Sequence, residues 1–137
     1  VMNRLLTDAG ITDVTAESCG TAGWHVGEPM DQRTARVLSA GGYDPSRHRA
    51  RQLDASWYDA DLVLVMDRSN ESDVLAALPP ERHDRVEMFR RYDPEADPDA
   101  AAPDVPDPWH GGEQGFLEVL AIVERTCRRL LAELEQR

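Results

Sequence analysis

Lysine is missing altogether: all 15 basic side chains among the 137 residues are arginines. Schiff-base chemistry and a Walker-type phosphate loop, which both depend on an ammonium group, are thereby excluded. Positive charge is also scarce. Fifteen basic residues face 26 acidic ones, a net charge of −11, which argues against nucleic acid or an anionic membrane as partner, because those require a positive surface that displaces counterions. The two cysteines, Cys19 and Cys127, are too few and too far apart for a disulfide framework or a cysteine-rich zinc site. No apolar run approaches the roughly 20 residues that span a bilayer, and the first residues do not read as a signal peptide. These absences point to a reducing cytoplasm.

What is present suits one soluble domain over residues 1–137, with 41% hydrophobic and 30% charged residues and no internal repeat or linker. Met2, Leu5, Leu6 and Ala9 recur at helical spacing and Gly10 supplies a stop, so a helix opens the chain with no capping side chain ahead of it. A short strand is predicted over Asp13–Ser18, before Gly20, Gly23 and Gly27 break regular structure. Asp31 caps a helix that Gly41 and Gly42 end, and Asp54 caps a short turn carrying Trp57 and Tyr58. The run 62–66 is apolar at every position, the signature of a strand buried on both faces, and it predicts a parallel sheet covered by helices. A helix from about Asn70 to Leu78 is expected next, capped by Ser69 or Asn70, and then a strand over 85–89 with Val86 and Met88 inward. Residues 92–109 hold five prolines and read as an extended loop. The last helix, about 113–136, carries Phe116, Leu120, Val123, Cys127, Leu130, Leu131 and Leu134 on one stripe. Strand and helix alternate as in a small α/β doubly wound fold with helices on both faces of the sheet and sites at the carboxyl ends of the strands.

Three segments carry candidate chemistry. In Asp104-Val105-Pro106-Asp107-Pro108-Trp109, two prolines flank Asp107 and hold its backbone extended, which aims the carboxyl stiffly beside an indole, an arrangement suited to a general acid. A solvated acidic loop is the plainer reading on composition alone. In Ser18-Cys19-Gly20-Thr21 and Trp24-His25-Val26-Gly27-Glu28-Pro29, a glycine-rich loop presents Trp24, either as a pocket wall or as a latch over the core. His25 reads as a loop tether, since no second histidine or cysteine stands at ligand spacing. In Met66-Asp67-Arg68-Ser69-Asn70, Asp67 can orient an adjacent loop. Cys127 belongs to the core, and Cys19 lacks the base or helix terminus that would activate it. The acids between Asp93 and Asp104 lack the glycine and terminal glutamate of an EF-hand loop, so no metal or other cofactor is expected.

These segments, in order and together with His48-Arg49-Ala50-Arg51-Gln52-Leu53, resemble the low-molecular-weight protein tyrosine phosphatases over the whole chain. The resemblance implies a cytoplasmic, metal-free phosphomonoesterase on a four-stranded parallel sheet, acting on phosphotyrosine in proteins and releasing inorganic phosphate. In that family a cysteine thiolate within C-x-x-x-x-x-R attacks phosphorus, and an aspartic acid protonates the leaving phenol. By resemblance Asp107 is that acid, Trp24, Trp109 and His110 border the substrate cleft, and Ser18, Asp67 and Asn70 support it.

The sequence departs from the family at the nucleophile. His25 stands six residues after Cys19 and Glu133 six after Cys127, so neither cysteine heads a C-x-x-x-x-x-R motif. The family's first strand and phosphate loop would precede Val1, and the expectation is an N-terminally shortened, inactive chain whose strands 13–18 and 61–66 lack the strand between them. Arsenate reduction is disfavoured because residues 60–100 contain no cysteine. A protein arginine phosphatase of the same fold, or a non-catalytic module that binds through Trp24 and Trp109, are the competing readings.

Overall fold

The computed structural model describes residues 1–23, 25–108 and 112–136. Helix α1 (Met2–Asp8) ends as its sequence predicts. Gly10 takes φ +71°, its amide meets the Thr7 carbonyl at 3.0 Å, and the Ile11 amide reaches the Leu6 carbonyl at 3.0 Å, which together make a Schellman cap that only a residue free of Cβ strain enters cheaply. Helix α2 (Gln32–Ala40) begins at Asp31, whose carboxylate accepts from the amides of Arg33 and Thr34. It closes with the same motif at Gly42, φ +91°.

The sheet consists of β1 (Val63–Val65) and β2 (Val86–Met88), paired in parallel with Val63 opposite Val86 and Val65 opposite Met88. Helix α3 (Arg68–Ala77) connects them and packs on both, as a parallel crossover requires. The core beneath it consists of Val65, Val74, Leu78 and Met88, with Leu53, Tyr58 and Ala102 around the margin. Burying each of these large apolar side chains is worth roughly 1.5–3 kcal/mol, enough to fix a three-residue strand that has little stability of its own. Helix α4 (Glu113–Glu135) packs against α1, α2 and the tight turn 89–92.

Four expectations need correction. Residues 13–18 form no strand. The Asn3 side chain instead occupies backbone groups a sheet would use, donating to the Ala16 carbonyl at 2.8 Å and accepting from its amide at 3.2 Å. The described sheet is accordingly a two-stranded parallel pair, supplemented by a parallel bridge between Gly20 and Gln52. Helix α3 starts two residues earlier than predicted. Its cap is Asp67, whose Oδ1 accepts from the Asn70 amide at 2.7 Å, so Ser69 and Asn70 lie within the first turn. On α4 the buried residues are Phe116, Ile122, Thr126, Cys127 and Leu130, whereas Leu120, Val123, Leu131 and Leu134 are only half-buried. The stripe is rotated because α4 faces two helices and the turn 89–92 together. Among the described residues no helix is long and apolar enough to cross a membrane.

Candidate active site

The segment before Asp107 has no regular structure, yet it is held at several points. The Val105 amide donates to the Met66 carbonyl at 2.7 Å, at the carboxyl end of β1. Asp104 Oδ1 accepts from the Arg68 amide at 3.1 Å, and Arg68 Nη2 reaches the Ala102 carbonyl at 3.1 Å. Two carboxylates, those of Asp67 and Asp104, thus satisfy amides at the start of α3, where exposed N–H groups favour negative charge. Arg90 Nη1 donates to the Asp104 carbonyl at 2.9 Å.

Beyond this tethered stretch Pro106 and Pro108 restrict the backbone on either side of Asp107. Pro108 lies against the first turn of α4, 3.7 Å from where a Cβ on Gly115 would stand. Asp107 itself is exposed. A carboxyl group delivered to the surface by a pinned, proline-flanked loop at the end of a parallel strand is where α/β folds place working groups.

A second region is the cleft of about 300 Å³ lined by Ser18, Cys19, His25, His48 and Arg51 among others. Its two walls are joined through the backbone. The Gly20 amide meets the Arg51 carbonyl at 2.7 Å, the Leu53 amide meets the Gly20 carbonyl at 2.8 Å, and the Gly27 amide meets the Ala50 carbonyl at 2.8 Å. Gly23 lies close against the exposed Gln52 side chain: a Cβ there would come within 2.6 Å of Oε1, and the amide end of Gln52 would have to swing aside. His25 behaves as a tether, with Nδ1 2.8 Å from Glu28 Oε2. Trp24, Trp109 and His110, expected to border the substrate, lie outside the described residues.

Neither thiol is built for attack. Cys19 is exposed as a residue, but desolvation of its sulfur, with the Asp54 carboxylate adding to it, raises its pKa against a smaller opposing pull from Arg51. Burial pushes the Cys127 thiol up to about 11. A reactive cysteine needs the opposite environment.

The structure therefore brings Asp67 and Asn70 together at the α3 terminus and puts Ser18 in the cleft. Sequence reasoning missed the residues that hold the acid loop: Arg68, Arg90, Asp93, Asp104 and Arg125. Asp93 is the hub, with a fully buried side chain. Burial alone would raise its pKa, but hydrogen bonds from Arg125, the Glu95 amide and Arg90 hold it down at about 2. The one sequence signal was Asp93-Pro94, a turn-forming pair that directly follows two arginines and a tyrosine.

A family model described as low molecular weight phosphotyrosine protein phosphatase matches residues 1–137. The chain belongs to this family. Its relatives among the low-molecular-weight phosphatases include the low molecular weight protein-tyrosine-phosphatase of Streptomyces coelicolor, 40% identical over 139 residues that cover 99% of this chain and 83% of that one. Low molecular weight protein-tyrosine phosphatase A of Mycobacterium tuberculosis is 42% identical over 120 residues, 87% of this chain and 71% of that one. Among solved structures, a protein tyrosine phosphatase from Entamoeba histolytica with Hepes in its active site superposes with a TM-score of 0.89 at 26% identity, covering 98% of this chain and 85% of that one. YfkJ from Bacillus subtilis gives a TM-score of 0.83 at 25% identity, covering 98% of this chain and 82% of that one. The small parallel sheet with flanking helices is thus the phosphatase fold of this family.

Proposed function

We propose that this chain carries the proton-transfer half of a cytoplasmic phosphotyrosine phosphatase, with Asp107 as general acid and then general base. In the first step a cysteine thiolate attacks phosphorus, the phosphorus–oxygen bond to tyrosine breaks, and Asp107 gives its proton to the departing phenol oxygen. In the second, the Asp107 carboxylate takes a proton from water, the resulting hydroxide displaces the thiolate from phosphorus, and inorganic phosphate leaves. Asp67 and Asn70 act indirectly, by fixing the helix terminus onto which Asp104 docks. Ser18 lines the neighbouring cleft, and Trp24, Trp109 and His110 are the proposed substrate-facing groups.

The observation that carries this reading is the tether of Val105 to the Met66 carbonyl, which anchors the loop leading to exposed Asp107 at the end of β1. The thiolate of the first step is not among these residues, since neither Cys19 nor Cys127 is followed six positions later by arginine. The 137 residues by themselves are therefore proposed to be inactive, and the same chain joined to a C-x-x-x-x-x-R strand and loop ahead of Val1 is proposed to be active. Assays with p-nitrophenyl phosphate on both chains test this. The expected result is turnover only with the joined segment, and a loss of about 10²- to 10⁴-fold when Asp107→Asn is introduced into it. Turnover by the unextended chain, or an Asp107→Asn variant as active as its parent, contradicts the proposal.

A further inference from the structure

The side chains behind the acid loop form a continuous relay that reaches back to α4. Arg125, midway along that helix, places Nε 2.8 Å from Asp93 Oδ1 and Nη2 3.0 Å from Oδ2. The Glu95 amide adds a third contact at 2.9 Å. Asp93 is therefore well held before Arg90 is considered. Arg90 uses the two ends of its guanidinium differently: Nε meets Asp93 Oδ2 at 3.0 Å, while Nη1 meets the Asp104 carbonyl at 2.9 Å. Only 16% of its side chain is exposed, so the planar fork is fixed in one orientation by its surroundings. Asp104 is three residues before Asp107, and the intervening Val105 is itself bonded to the carbonyl of Met66, the residue that follows β1.

We infer that Arg90 is a positioning residue for Asp107, linking Asp93, which Arg125 anchors to α4, to the Asp104 carbonyl and so setting where the acid stands relative to the oxygen it protonates. This rests on the reading of Asp107 as proton donor. The chemistry makes such a link consequential: a proton donor works at about 2.6–3.2 Å from its acceptor, and a displacement of about 1 Å costs on the order of 10²-fold. Of the groups on Asp93, Arg90 is the one whose other contact leads to the loop that ends in the acid. Arg125 instead turns its remaining nitrogen to Glu95, at 2.7 Å.

The test uses Arg90→Met, which keeps the aliphatic stem and leaves Asp93 its pair with Arg125. Hydrogen exchange in the 137-residue chain gives the first readout: the Val105 amide is expected to exchange about tenfold faster, with the Leu130 amide on α4 unchanged. The second readout is catalytic, in the chain joined to the C-x-x-x-x-x-R segment. A poor leaving group needs the proton and a good one does not, so kcat/KM should fall about tenfold or more for phenyl phosphate and far less for p-nitrophenyl phosphate. Arg90→Lys, whose single ammonium reaches one partner at a time, should fall between parent and Arg90→Met; it also supplies the same readouts should the methionine variant fold poorly. Unchanged Val105 exchange, or equal losses on both substrates, overturns the inference. Asp107→Asn measured alongside separates the two readings. Equal losses on both substrates in that variant count against Asp107 as donor, whereas a selective loss there with equal losses in Arg90→Met counts against Arg90 alone.

Discussion

Replacing Asp93 by asparagine removes one negative charge from a side chain with no exposed surface. The carboxyl titrates at about 2 in the fold against 3.8 for the free group. Burial opposes that depression, and the guanidinium groups of Arg125 and Arg90 together with the Glu95 amide outweigh it. The difference of nearly two pKa units, at 1.36 kcal/mol each, corresponds to about 2 kcal/mol of stability. Leaving Arg90 and Arg125 without their charged partner adds to the loss, less than in a fully buried pair because Arg125 retains Glu95, so about 3 kcal/mol in total is expected. For a domain of 137 residues this lowers Tm by roughly 10 °C at neutral pH. The pH dependence has a fixed sign. A depressed carboxyl contributes fully above its unfolded value of 3.8 and loses that contribution as pH falls toward 2. Thermal unfolding followed by circular dichroism should therefore show a constant gap between parent and Asp93→Asn from pH 7 to about pH 5, then a gap that narrows steadily toward pH 2. A gap of the same size at both ends of that range, or a variant as stable as the parent at pH 7, refutes the assignment of Asp93 as an ionised anchor.

Three other outcomes can be checked on the same protein. Thr126 has no exposed surface and its Oγ1 meets no hydrogen-bond partner among the described residues, so Thr126→Val should raise stability by about 1 kcal/mol in urea titrations, since the unpaired hydroxyl is costly and the shape is kept. Leu78, 4% exposed in the cluster under α3, should lose about 2–5 kcal/mol as Leu78→Ala by the same measurement, with more loss if the site cannot collapse. Alkylation with iodoacetamide at pH 7 should be slow at Cys19 and absent at Cys127, because both thiols are held above their ordinary pKa; rapid labelling of either would reveal an activated thiolate.

Much of this architecture was legible from local patterns. The apolar run 62–66 became a strand of a parallel pair over Val63–Val65 only; burial on both faces did not follow, since Leu62 and Met66 stay exposed and Val65 alone is fully buried. Gly10 and Gly42 ended their helices with positive φ, and Asp31 and Asp54 capped theirs, since these signals act within a few residues. The strand over 13–18 was not legible as an error, because alternation reports only a preference for extended backbone. Whether a ladder forms depends on a neighbour, and here the Asn3 side chain takes those groups. The cap of α3 was ambiguous for a similar reason: Asp67, Ser69 and Asn70 all suit the position, and the end of β1 together with the docking of Asp104 from far along the chain decides among them.

The candidate site divides along the same line. Asp107 stood out because its two flanking prolines are adjacent in sequence. The arginines that hold its loop did not, since Arg68, Arg90 and Arg125 come from three separate elements and a sequence of 15 arginines offers no way to rank them. Their role follows only from where α3, the turn 89–92 and α4 bring them.

The most direct test is a series of aryl phosphates of rising leaving-group pKa, measured for the chain joined to a C-x-x-x-x-x-R segment and for the Asp107→Asn form of it. If Asp107 delivers the proton, the variant's deficit should grow steadily with leaving-group pKa, from slight with activated phenols to about 10²-fold or more with unactivated ones. A deficit that stays constant across the series would contradict proton delivery from residue 107.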